Sequence, residues 1–64
     1  MPIIRVEMLA GRTVAQKREL VAVLTRETAR IAGASPASIF VVIEDVAKEN
    51  WGVGGVLLSD SYPD

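Results

Sequence analysis

Apolar and polar residues alternate from Ile3 to Leu9: Ile4, Val6 and Met8 fall on one side, and Arg5 and Glu7 share the other with Ile3 and Leu9. A period of two is that of a strand. Ala10-Gly11-Arg12 breaks the alternation, with Gly11 able to take a positive φ in the turn. From Val14 to about Ala32 the apolar period lengthens to that of a helix, with Leu20, Val21, Leu24, Thr28, Ile31 and Ala32 forming a stripe. Arg18, Glu19, Arg26 and Arg30 lie away from it. Thr13 followed by Gln16 matches a capping box at the helix start. Gly33, reinforced by Ser35-Pro36, predicts the stop.

The run Ile39 to Ile43 is continuously apolar and rich in β-branched residues, and it ends in Glu44-Asp45. Such a run suits a strand of a parallel sheet covered on both faces. Two strands joined through one helix make a βαβ unit. Trp51-Gly52-Val53-Gly54-Gly55, then Val56-Leu57-Leu58 and a polar tail, predicts a turn or short hairpin rather than a core element. The fold expected is α/β (α+β): a βαβ protomer with a short C-terminal hairpin, as a single domain over residues 1–64. A lone two-stranded sheet cannot stand by itself.

Composition sharpens that last point. A chain of 64 residues buries only about 60% of the surface its unfolded form exposes. The usual remedies are disulfides, metals or oligomerisation. Cysteine and histidine are both absent, so thiolate or imidazole metal sites and imidazole catalysis are excluded, and no cofactor or metal is expected. Oligomerisation remains, and a chain that is 50% hydrophobic has apolar surface to offer other subunits. The net charge of −1 argues against nucleic acid as a partner. No apolar run approaches the ~20 residues needed to cross a bilayer. Glu7 and Arg12 interrupt the N-terminal apolar segment, so it does not read as a signal peptide, and a cytoplasmic protein is expected.

Few residues remain that can do chemistry. Pro2 directly follows Met1, and aminopeptidases remove Met before small residues such as Pro, so the mature chain would begin with a secondary amine. Pro is also tolerated at a strand's first residue for purely structural reasons. A terminal amine is the one nitrogen base here that can be neutral near neutral pH, since lysines titrate far above it. Burial and a nearby cation both favour its neutral form. A base so poised can take a proton from the carbon next to a carbonyl. Arg12, at the edge of the helix N-terminus, can hold a carboxylate through two parallel hydrogen bonds, although a solvated arginine accounts equally well for it. Trp51 can wall an apolar pocket or anchor an interface. Gly52 to Gly55 lacks the Lys-Ser/Thr ending and following helix of a phosphate loop.

Taken together these residues resemble the 4-oxalocrotonate tautomerase family over nearly the whole chain. The likeness is carried by Met1-Pro2-Ile3-Ile4, by Leu9 to Arg12, by Thr13 with Gln16-Lys17, by the strand Ile39 to Ile43, and by Trp51-Gly52-Val53-Gly54-Gly55. The resemblance implies a keto-enol isomerase that needs no cofactor and acts on a small-molecule substrate. Its implied assembly is a homo-oligomer, commonly a hexamer, or a mixed hexamer of two chains. Active sites would lie near subunit boundaries, with Pro2 as general acid-base residue, Arg12 binding carboxylate and Trp51 in the place of an aromatic wall residue.

One departure stands out. Enzymes of the family that process 2-hydroxymuconate carry a second arginine where this chain has Phe40. Its loss predicts weaker use of dicarboxylates and an apolar pocket suited to a 2-oxo or 2-hydroxy acid with one carboxylate. Related dehalogenases that also use a terminal Pro need a further arginine and a glutamate at places occupied here by Leu9 and Val53, which opposes water addition. Glu7, Glu44, Asp45 and Glu49 read as solvated strand-end charges. Two other readings compete: a catalytically silent oligomer of this fold, and a ribbon-helix-helix regulator. The regulator would need a second long helix and a basic strand pair.

Overall fold

The computed structural model describes residues 2–63; Met1, and with it the removal that would free the Pro2 amine, lies outside the described residues. Strand β1 (Ile3–Leu9) pairs in parallel with β2 (Phe40–Val46), in a register running from Ile3 opposite Phe40 to Leu9 opposite Val46. One more bond prolongs the ladder at each end. The Phe40 N–H donates to the Pro2 carbonyl at 3.0 Å, and the Ala10 N–H donates to the Val46 carbonyl at 3.0 Å. Helix α1 (Val14–Ala32) makes the crossover. The βαβ unit read from the periodicity is therefore present, with β1 and α1 at the expected bounds.

The ends of α1 follow from its punctuation. The Gln16 N–H donates to Thr13 Oγ1 at 3.1 Å, and the Thr13 N–H donates back to Gln16 Oε1 at 2.8 Å, which closes the capping box. Gly33 ends the helix at φ 67°, a conformation that costs a residue with a Cβ, and its N–H donates to the Ala29 carbonyl at 3.1 Å. An ion pair between Lys17 and Asp45 ties the first turn of α1 to the far end of β2. Asp45 is thus engaged by the helix rather than merely solvated.

Beyond β2, Lys48–Asn50 forms a single 3₁₀ turn, and β3 (Gly52–Val53) pairs with β4 (Val56–Leu57) as an antiparallel hairpin. Gly54 and Gly55 both take positive φ, at 61° and 88°, as a two-residue turn of the type that matches strand twist requires. The polar tail expected after Leu58 instead begins with a one-turn helix, α2 (Leu58–Ser61). Four residues carry no helical period, so its pattern could not announce it.

Burial departs from expectation in an informative way. Ile4, Val6, Met8, Val41 and Ile43 are half-buried, whereas Ile3, Arg5, Glu7, Phe40, Val42 and Glu44 are exposed. The second strand was expected to be covered on both faces; it alternates, because the protomer has one helix layer and nothing on its other side. Leu20, Leu24 and Thr28 of the helical stripe are half-buried, but Val21, Ile31 and Ala32 are exposed, Ile31 at 73%. Among the described residues Ile39 alone is buried, at 7%.

The shape agrees. A compact 64-residue chain would have a radius of gyration of about 10.7 Å, whereas this one measures 14.9 Å, with extents of 43 × 24 × 13 Å. It exposes 4808 Å², against about 4000 Å² for a folded monomer of its mass. A protomer with so little interior draws its stability from whatever covers it. The midpoint of thermal unfolding is therefore expected to rise with protein concentration, by mass action. Melts followed by circular dichroism over a hundredfold range check this; a constant midpoint would mean that the protomer stands alone.

Candidate active site

Four residues were singled out by sequence: Pro2, Arg12, Phe40 and Trp51. The parallel sheet sorts them into two pairs at opposite ends. Pro2 is half-buried at the head of β1, and its carbonyl is held by the N–H of Phe40, which opens β2. Phe40 is 50% exposed and shares the uncovered face of the sheet with Ile3, its register partner. The N-terminal end of the sheet thus holds Pro2 next to Ile3 and Phe40, two exposed apolar residues.

Arg12 lies past the other end of β1. Seven strand residues at about 3.3 Å each put roughly 20 Å between Ile3 and Leu9. Arg12 follows in the loop that leads into Thr13, the N-cap of α1. Its side chain is exposed, and no hydrogen-bond or ion-pair partner binds it among the described residues. The first turn of α1 contains no acidic residue, so the positive end of the helix reinforces the guanidinium unopposed. The chemistry and the field of this corner suit a carboxylate.

Trp51 stands at the same end of the sheet as Arg12, since the chain leaves β2 at Val46 and reaches it after one 3₁₀ turn. It is half-buried, and its backbone is clamped on both sides. Its N–H donates to the Lys48 carbonyl at 3.3 Å, and its carbonyl accepts from the Leu58 N–H at 2.9 Å. The Leu58 contact went unread in the sequence, because nothing local distinguishes a leucine whose amide closes such a clamp.

The four residues consequently do not meet within one protomer. Pro2 and Phe40 occupy one end, Arg12 and Trp51 the other. A hollow of about 370 Å³ opens between Ala10, Ala47, Glu49, Ser59 and Tyr62, and none of the four lines it. The Lys48 ammonium donates to the Tyr62 carbonyl at 2.7 Å across its rim.

Comparison with known proteins identifies the family and the fold. A family model described as tautomerase enzyme matches residues 2–61. A 2-hydroxymuconate tautomerase of Bacillus subtilis is 45% identical over 60 residues, which cover 94% of this chain and 97% of that protein. The crystal structure of a 4-oxalocrotonate tautomerase homologue superposes with a TM-score of 0.89 at 38% identity, covering 94% of this chain and 95% of its own. A heterohexameric 4-oxalocrotonate tautomerase from Chloroflexus aurantiacus superposes at 0.88 with 32% identity, covering 94% and 97%. Among the described residues no helix is long and apolar enough to cross a membrane.

The loop that presents Arg12 is anchored by the capping box. Thr13→Ala is expected to remove about 1 kcal/mol of stability, whereas Thr13→Ser, which keeps the hydroxyl acceptor, should lose little. Denaturant titrations of the two variants check this; equal losses would show that the methyl group, not the cap, is what matters.

Proposed function

The chain belongs to the tautomerase family, and on that premise we propose that it interconverts enol and keto forms of a 2-hydroxydienoate or 2-oxo acid, with the Pro2 amine, freed by removal of Met1, as general acid-base group. The observation that carries this reading is the placement of Pro2. Its carbonyl is bonded into the ladder at Phe40, which fixes its backbone at the head of the sheet. A base must first be positioned and then poised. The strand provides the position, while desolvation and a cation favour the neutral amine.

In the ketonisation direction the neutral amine takes the proton from the enol hydroxyl. The O–H electron pair becomes the carbonyl, the double bond shifts, and the proton returns from the prolinium to carbon. Nothing is oxidised and no group is transferred. Arg12 of a second copy holds the substrate carboxylate, and Trp51 of that copy walls the site. This division supports assembly into an oligomer, since neither end of one protomer holds all the parts. A hexamer of identical chains accommodates it.

Phe40 decides which acids fit. An arginine there would bind a second carboxylate and polarise the 2-oxo group. A phenyl ring offers neither, and beside Ile3 it favours an aryl or alkyl substituent, so the preferred substrate carries one carboxylate, as a phenylpyruvate-like enol does. A second reading follows from the same residue together with the heterohexameric neighbour: a sister chain supplies the arginine, and this chain alone is a weak catalyst.

On protein whose intact mass shows loss of Met1, Pro2→Ala is expected to slow ketonisation of phenylenolpyruvate by at least about a hundredfold. Equal rates in the two proteins would remove the amine from the mechanism. Phe40→Arg should raise turnover of 2-hydroxymuconate relative to phenylenolpyruvate. An unchanged ratio of the two would show that Phe40 does not set specificity. Near-background rates on both substrates, recovered by a co-expressed sister chain, would favour the second reading.

A further inference from the structure

The turn that presents Arg12 is held at both ends by two consecutive residues of β2. On its near side the Ala10 N–H donates to the Val46 carbonyl at 3.0 Å. On its far side Thr13 closes the capping box with Gln16, and the Lys17 N–H donates to the Thr13 carbonyl at 3.0 Å. The Lys17 ammonium then donates to Asp45, the residue before Val46. Only Gly11 and Arg12 lie between these anchors. The same stretch of β2 leads through Ala47 and the 3₁₀ turn to Trp51, whose backbone is clamped by Lys48 and Leu58.

Lys17 runs against local preference. It lies in the first turn of α1, where the positive end of the helix favours an acid, and that turn contains none. The two side chains are 28% and 40% exposed, and an ion pair so accessible to water contributes little to stability. Yet among the described residues it is the one hydrogen bond or ion pair that joins α1 to either strand. Away from this end of the sheet, bonded side chains join near neighbours in the chain, as Arg30 joins Glu27 and Ser38 joins Ser35. A link that adds little to stability but spans the base of the Arg12 turn is suited to alignment.

We propose that Lys17 and Asp45 are positioning residues: their ion pair fixes the Arg12 turn on β2 and so sets the guanidinium in place relative to Trp51. A bidentate grip on a carboxylate needs its donors held to within about 0.5 Å. The capping box alone ties Arg12 to the helix; the ion pair ties the helix end to the strand that leads to Trp51. The inference rests on the reading that Arg12 binds the substrate carboxylate, and it names what aims it.

Trp51 is the only tryptophan, so its emission reports occupancy of the site without turnover. The probe is phenylacetate, a monocarboxylate with no 2-oxo or enol group, titrated into the protein that has lost Met1. Asp45→Asn and Lys17→Met are each expected to raise its Kd by on the order of tenfold. Asp45→Glu and Lys17→Arg, which keep the pair, should stay near the parent value, as should Glu27→Gln, which breaks the pair at the other end of α1. Direction separates alignment from field. Were the two residues to act by charge alone, Asp45→Asn would remove a negative charge and tighten binding, while Lys17→Met weakened it. Opposite signs overturn the proposal, and so does an unchanged Kd in both variants. Either substitution alone breaks the pair, so one variant with the parent's circular dichroism spectrum suffices. In turnover of phenylenolpyruvate the same variants should raise KM more than they lower kcat; a fall in kcat with KM unchanged overturns the proposal. Arg12→Ala tests the premise. If it binds phenylacetate as tightly as the parent, the carboxylate reading fails and this inference with it. If Arg12→Ala weakens binding and neither Asp45→Asn nor Lys17→Met does, the inference alone falls.

Discussion

Everything in this molecule depends on apolar surface that the protomer cannot cover for itself. A two-stranded parallel sheet has two faces and two edges, and the chain contains one long helix, which covers one face. Ile3, Phe40 and Val42 on the uncovered face, and Ile31 at the end of α1, are consequently left in contact with water. At roughly 25 cal/mol per Å², the ~800 Å² by which the chain exceeds a compact monomer represents a strong drive to associate to the extent that it is apolar, as these four residues are. Local structure is well specified: the capping box, the left-handed Gly33 and the Gly54-Gly55 turn each close an element without outside help. What is missing is not secondary structure but a second layer.

The same constraint shapes the site. Parallel strands put both N-termini at one end and both C-termini at the other, so a residue heading β1 neighbours a residue heading β2, and residues after each strand gather some 20 Å away. Pro2 with Phe40, and Arg12 with Trp51, are the direct result. A single βαβ unit cannot bring its amine to its own arginine without abandoning the parallel register. Under the proposed function the parts must therefore come from more than one copy.

The sequence carried most of the fold because its periodicities are clean: alternation in β1, a nineteen-residue helical stretch between a Thr13/Gln16 cap and Gly33, and a β-branched run for β2. It misled where burial is decided by distant surface. The continuous apolar character of Ile39 to Ile43 was read as burial on both faces, yet in the protomer Phe40 and Val42 are exposed. The sequence encodes the environment of the assembly, and the isolated chain shows what that assembly must supply. Glu7 and Glu44 were read as strand-end charges, although they lie within the strands and face each other in register. No single-strand pattern reveals such a pairing. The site residues were recognisable by type, but their division between two ends follows from topology, which spacing along the chain does not express.

If Pro2 is the base, as proposed, catalysis and assembly are one equilibrium viewed from two sides. The amine of Pro2 becomes a useful base at neutral pH only where its charged form is disfavoured, and the two available causes are removal from water and proximity to a cation. In the lone protomer Pro2 is half-buried and Arg12 stands at the opposite end of the sheet, so both causes are weak. On the proposed function, Arg12 of a second copy, with the uncompensated N-terminus of its α1, would supply the cation, and contact between copies would remove water. On the same proposal Phe40 offers no cation beside the amine, so more of the task would fall on desolvation. A phenyl ring excludes water, so under that proposal the residue that would narrow the range of acids would also help prepare the base that acts on them.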